Sequence, residues 1–83
     1  MIYKVEMLRV GAVLPNGGVV KAYFVQKDGG IVMCQFKDDP PEYATWVFYN
    51  NDLRSTSHGH YGTDEVEVFK DFQKRVKREI YTS

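Results

Sequence analysis

The sequence predicts an α+β domain, a four- or five-stranded antiparallel meander packed against one C-terminal helix. Three observations predict it. Turn-forming clusters recur along the chain, at Pro15-Asn16-Gly17-Gly18, Lys27-Asp28-Gly29-Gly30 and Asn50-Asn51-Asp52. The segments between them are rich in β-branched and aromatic residues, which fit a pleated, half-buried surface. From Thr63 onward the apolar residues adopt helical spacing instead. The 83 residues read as a single domain, 1–83, with strands over about 2–61 and a helix over about 64–80.

The first strand is expected over residues 2–10. Tyr3, Val5 and Met7 would share one face, and Gly11 would allow a bend or bulge. Asn16-Gly17 suits a type I′ hairpin turn, because both residues tolerate positive φ. Val19, Val20, Tyr23, Phe24 and Val25 then form a strand, and residues 31–36 form the next after a second tight turn. Lys37 to Glu42 reads as a polar loop, since Pro40 and Pro41 resist regular pairing. The strand at residues 43–49 is the strongest in the chain. It sets Ala44, Trp46 and Phe48 on one face and Tyr43, Thr45, Val47 and Tyr49 on the other. Residues 53–61 return as a polar strand.

Thr63 or Asp64 can cap the helix, and Asp64, Glu65 and Glu67 place negative charge in its first turn, where the helix dipole favours it. Val66, Phe69, Phe72, Val76 and Ile80 fall on one stripe, and Asp71 can pair with Arg75 one turn on. The sheet needs cover and the helix needs somewhere to place its rings. The simplest solution lays Phe69 and Phe72 over Trp46.

Composition narrows the function. Eleven basic and eleven acidic residues balance. A dedicated duplex-DNA binder usually carries a basic excess, and an acidic DNA mimic the reverse. The single cysteine, Cys34, permits no internal disulfide, which fits a reducing compartment. Charges at the N-terminus replace the apolar run of a signal peptide, and no stretch reaches membrane-spanning length. The expected location is the cytoplasm, with no membrane partner.

The residues Tyr43-Ala44-Thr45-Trp46, Tyr49, Gly59-His60-Tyr61, Thr63-Asp64 and Phe72-Gln73-Lys74-Arg75 carry a resemblance. Together they resemble a loosely defined group of small accessory proteins of phages, plasmids and conjugative elements, mainly of Gram-positive bacteria. The shared pattern is a Thr-Trp strand, Gly-His-Tyr, and a helix ending Phe-x-x-Arg. It covers a little under half of the chain. The group has no activity to carry over, so the resemblance implies an accessory gene of a mobile element and no catalytic residue. By analogy, such proteins act by binding and blocking a host protein, immune nucleases included.

Several residues are candidates for chemistry. His58 and His60, at i and i+2 on a strand, would project to one side, as two metal ligands do. The spacing of the strong zinc classes is absent, and an exposed polar strand is the commoner meaning. Cys34 lies in an apolar strand, where a free thiol behaves as a small hydrophobe rather than a nucleophile. Lys74, Arg75, Lys77 and Arg78 form a basic helix end; with Arg54 and His58 they could meet phosphates while Tyr43, Tyr49 or Tyr61 stack on bases.

The same tyrosines also suit a protein interface. The expectation is therefore a non-enzymatic binding protein without cofactor or metal. It acts on a host protein or by self-association, through Tyr43, Tyr49, Tyr61, Arg54, His58, His60, Lys74 and Arg78. The alternative is a single-stranded nucleic-acid or nucleotide-binding module.

Overall fold

The computed structural model describes residues 1–50 and 52–82, with side chains other than those of 37, 38, 55, 58 and 80–82. Four strands, β1 (Val19–Gln26), β2 (Gly29–Asp38), β3 (Pro41–Tyr49) and β4 (Asp52–Gly62), form one antiparallel meander in sequence order. A single helix, α1 (Glu65–Thr82), follows and packs over β2, β3 and β4. The α+β meander on a helix is therefore the observed fold. Among the described residues, no helix is long and apolar enough to cross a membrane.

Residues 2–10 are not a strand. They form one 3-10 turn, Val5–Met7, within an irregular strap that lies across the sheet. The strap is tied at both edges. Leu53 N–H donates to Tyr3 O at 2.9 Å beside β4, while Gly11 N–H donates to Val20 O and Val20 N–H to Ala12 O, both at 2.8 Å, beside β1. Spanning the whole width of a sheet requires a chain running across the strands, so the apolar residues here serve as anchors rather than as one alternating face. Ile2, Leu8, Ala12 and Leu14 are those anchors.

Each turn has a local cause. At Pro15-Asn16, Gly17 N–H donates to Leu14 O at 2.9 Å, and Leu14 N–H donates to Gly18 O at 2.9 Å. Gly17 takes φ +92°, whereas Asn16 has no positive φ. This is a type I turn closed by a glycine bulge rather than type I′; Pro15 fits the former because its fixed φ suits the second position. The predicted 37–42 loop contracts to a turn, because Lys37 pairs with Glu42 and Asp38 with Pro41. Pro41 is tolerated as the first residue of its strand. At the far end of β3, Asn50 turns the chain with φ 58°.

The sheet is covered on both faces, and the cover is the reverse of the expected one. Ala44, Trp46 and Phe48 face the strap, in a core with Leu14, Val20, Val32, Cys34 and Leu53. Tyr43, Ile31 and Met33 face the helix, against Val68 and Phe72. Trp46 is buried as expected, but its neighbours are Phe36, with ring centroids 4.9 Å apart, and Tyr61, at 6.0 Å. Alternation says which side chains share a face; it does not say which segment covers that face.

The helix stripe is rotated as well. Val68, Phe72 and Val76 point to the sheet, while Val66 and Phe69 are substantially exposed. Asp64 does cap the helix, its Oδ1 accepting Val66 N–H at 3.0 Å.

Candidate functional site

The helix face of the sheet carries one polar cluster. Thr45 is fully buried, flanked on its strand by Ala44 and Trp46. Its hydroxyl needs a partner, and Asp71 on α1 supplies one: Thr45 Oγ1 donates to Asp71 Oδ2 at 2.8 Å. Arg75, one turn later, brings Nε to 3.2 Å from the same oxygen, and its side chain is mostly covered. His60 on β4 pairs with Thr45 across the ladder, and its Nδ1 lies 3.2 Å from Asp71 Oδ1. One carboxylate thus joins helix, central strand and edge strand.

A consequence follows for stability. Asp71→Ala removes the acceptor and leaves the Thr45 hydroxyl buried without one, a loss of about 1–3 kcal/mol. In a Thr45→Val background the same change should cost clearly less, as urea titrations of the four proteins would measure. Equal costs in both backgrounds would show that the hydrogen bond does not latch the helix.

This cluster forms one end of a cleft of about 690 Å³ between α1 and the sheet. Lys74, Arg75, Arg78 and Glu79 form the helix wall. Tyr49, Val47 and Ile31 line the sheet side, and Asp28 with Gly29 and Gly30 closes the end at the β1–β2 turn. Asp71 is engaged by Thr45, His60 and Arg75, so the remaining acidic groups are Asp28 and Glu79. Glycine is required at the closing turn because a side chain on Gly30 would collide with the Phe24 carbonyl and the Phe48 ring.

The expected binding residues divide. Tyr49, His60, Lys74 and Arg78 all line the cleft. Tyr43 does not belong with them: it is buried in the helix-side core, because residues 43, 45, 47 and 49 face the helix. Tyr61 lies on the strap face, where its hydroxyl accepts the Trp46 indole N–H at 3.2 Å. The three tyrosines therefore form no common stacking platform. Arg54 is also elsewhere. It grips Asp52 through Nε and Nη2 at 3.0 and 3.2 Å, and its guanidinium lies 5.7 Å from the Tyr3 ring centroid. The hydrogen bond from Arg54 holds the Asp52 carboxyl below the usual carboxylate range. Both residues fasten the strap's start to β4.

The histidine pair rested on regular alternation, which β4 interrupts. Thr45 pairs with His60 but Val47 with Ser57, so β4 holds one extra residue there, a bulge. Gly59 sits in it for lack of room: a side chain would meet the Trp46 indole nitrogen at 2.8 Å. The His58 side chain lies outside the described residues. Among the described residues, no three His, Cys, Asp or Glu side chains gather as metal ligands.

Cys34 lies on the strap face, across the sheet from His60. Burial pushes its thiol from the ordinary 9.0 up to about 12. Thr45 and Asp71 are not among the binding candidates that the sequence offers, and Arg75 is one only as part of the basic helix end. The available signal was Thr45 itself, a hydroxyl at a core position, which calls for a buried partner.

Fold and cleft together define a small α+β domain with two covered sheet faces and a mixed-charge groove between sheet and helix. The chain belongs to the large polyvalent protein associated domain 24 family, whose pattern matches residues 2–67. Domains of this kind occur in bacterial polyvalent and mobile-element proteins. The match spans the strap and the whole sheet and stops within the first turn of α1, so the basic helix wall lies beyond it. No curated protein and no solved structure matches the chain.

Proposed function

We propose that this is a non-enzymatic binding domain of a phage or other mobile-element protein, working in the cytoplasm by protein–protein interaction. The partner docks in the cleft between α1 and the sheet, and a host defence protein is the class that the mobile-element setting favours. The observation that carries this reading is the convergence of Tyr49, His60, Lys74 and Arg78 on one groove. An aromatic ring beside an arginine, with an apolar floor, has the make-up of an interface, and Lys74 adds charge at its rim. A catalytic role has less support. The thiol is buried and lies on the other face from His60, and the Thr45 hydroxyl is spent on Asp71. The nucleic-acid alternative retains Tyr49 with Lys74 and Arg78, while Tyr43 and Tyr61 lie apart from them.

The test compares the wild-type chain with Lys74→Glu/Arg78→Glu, both checked for folding by circular dichroism. Wild type should retain a defined host protein in a pull-down, and the double variant should lose it. If the variant retains the same protein equally, the cleft is not the docking site. If wild type instead binds single-stranded oligonucleotides with a steep salt dependence, and the variant does not, the nucleic-acid reading replaces this one.

A further inference from the structure

The outer edge of β1 lacks what usually guards a sheet edge. β1 is terminal in the sheet, and α1 packs mainly over β2, β3 and β4. Among the described residues, the strap bonds to this edge at Val19 and Val20 and not beyond. A bulge at Lys21 follows, after which residues 22–26 pair with β2 on their inner side. Among the described residues, no backbone group bonds to their outer side. Natural edges are protected by charges, prolines or bulges. Here Lys21 and its bulge stand at one end, and the five residues beyond them, Ala22, Tyr23, Phe24, Val25 and Gln26, are uncharged.

Both sides of this edge also expose large apolar groups. On the strap side Tyr23 and Val25 are 42% and 44% exposed. On the helix side Phe69 and Val66 are 41% and 60% exposed, and with Ala22 and Met33 they line a groove of about 380 Å³ rimmed by Lys21 and Glu65.

We propose that this edge is a self-association surface, on which β1 of a second copy pairs antiparallel to give a continuous eight-stranded sheet. The open edge is centred on Phe24. A two-fold axis there sets residues 22–26 against themselves and places each Tyr23 opposite the partner copy's Val25. An aromatic ring beside a β-branched residue is a favourable cross-strand pair. The axis is perpendicular to the sheet, so both helices fall on the same face and both apolar grooves open toward the junction. Lys21 and Glu65 give each rim opposite charges, and the chain as a whole is neutral, so self-pairing meets no net repulsion. Stable interfaces bury roughly 1,200 Å² or more in total. Five paired residues fall short of that alone, and Val66 and Phe69 add to the buried area from the helix side.

Sedimentation of the full chain over a concentration series tests this. The expected result is a reversible dimer whose dissociation constant rises at least tenfold in Tyr23→Lys/Val25→Lys and is unchanged in Lys74→Glu. Mixing a Tyr23→Cys chain with a Val25→Cys chain should give a disulfide-linked heterodimer under mild oxidation, whereas Cys34, being buried, stays reduced. A wild-type chain that remains monomeric to sub-millimolar concentration would overturn the proposal. So would a dimer that tolerates the lysine pair, or one that Lys74→Glu abolishes.

Discussion

Trp46→Ala is expected to lower the unfolding free energy by about 3–5 kcal/mol, the usual range for a large buried ring. A domain of this length has a total stability of about 4–12 kcal/mol, so the variant should be largely unfolded on warming. The indole is buried in the strap-side core, its edge against Phe36 and its nitrogen bonded to Tyr61. The milder Trp46→Phe keeps the chain folded and locates the ring. Combined with Phe36→Leu it should show a coupling energy of about 0.5–3 kcal/mol, and combined with Phe72→Leu almost none. Coupling to Phe72 would place the tryptophan beneath the helix and contradict the two-face arrangement.

Alkaline pH should destabilise the fold through Cys34. The sign follows from the direction of its shift. Burial raises the folded thiol from 9.0 to about 12, so above pH 9 the unfolded chain releases a proton that the folded chain keeps. Stability is intact below that point and falls as pH rises toward 12, by about 1.4 kcal/mol per pH unit at most. The full difference is on the order of 4 kcal/mol, an upper figure because other groups titrate in the same window. Cys34→Ala isolates the contribution: between pH 8 and pH 10.5 the wild type should lose more stability than the variant in urea unfolding. Parallel losses would mean that the thiol does not titrate in this way. Consistently, a thiol reagent should label Cys34 only as fast as the sheet opens.

The strap explains why this core tolerates such dependence on single residues. It contributes Ile2, Leu8, Ala12 and Leu14 to the face that holds Trp46, Phe48 and Cys34, and it is irregular backbone with few ladder bonds. Its hold on the sheet comes from side-chain burial and from anchorage at both edges, Tyr3 with Arg54 and Asp52 at one and Gly11 with Val20 at the other. Arg54 takes part in that anchorage through Asp52 and the Tyr3 ring.

Read by itself, the sequence determined what depends on neighbours a few residues apart. Turn clusters located the turns after β1 and β3, whereas the turn at Pro40 reads as a loop. A change of apolar period located the helix, and a cap at Thr63 or Asp64 and the Asp71–Arg75 pair were legible because capping and one-turn spacing are local. Alternation sorted residues 43–49 into two faces correctly. Only the tertiary structure decided which face the helix took, because both were apolar enough to be covered and the strap competed for one of them. It also decided which of two helix stripes turned inward, favouring the side where Asp71 meets the buried Thr45 hydroxyl. The cleft was beyond local reading for the same reason. Asp28, Tyr49, His60 and Lys74 are far apart along the chain, and only the closing of the meander under the helix brings them to one groove.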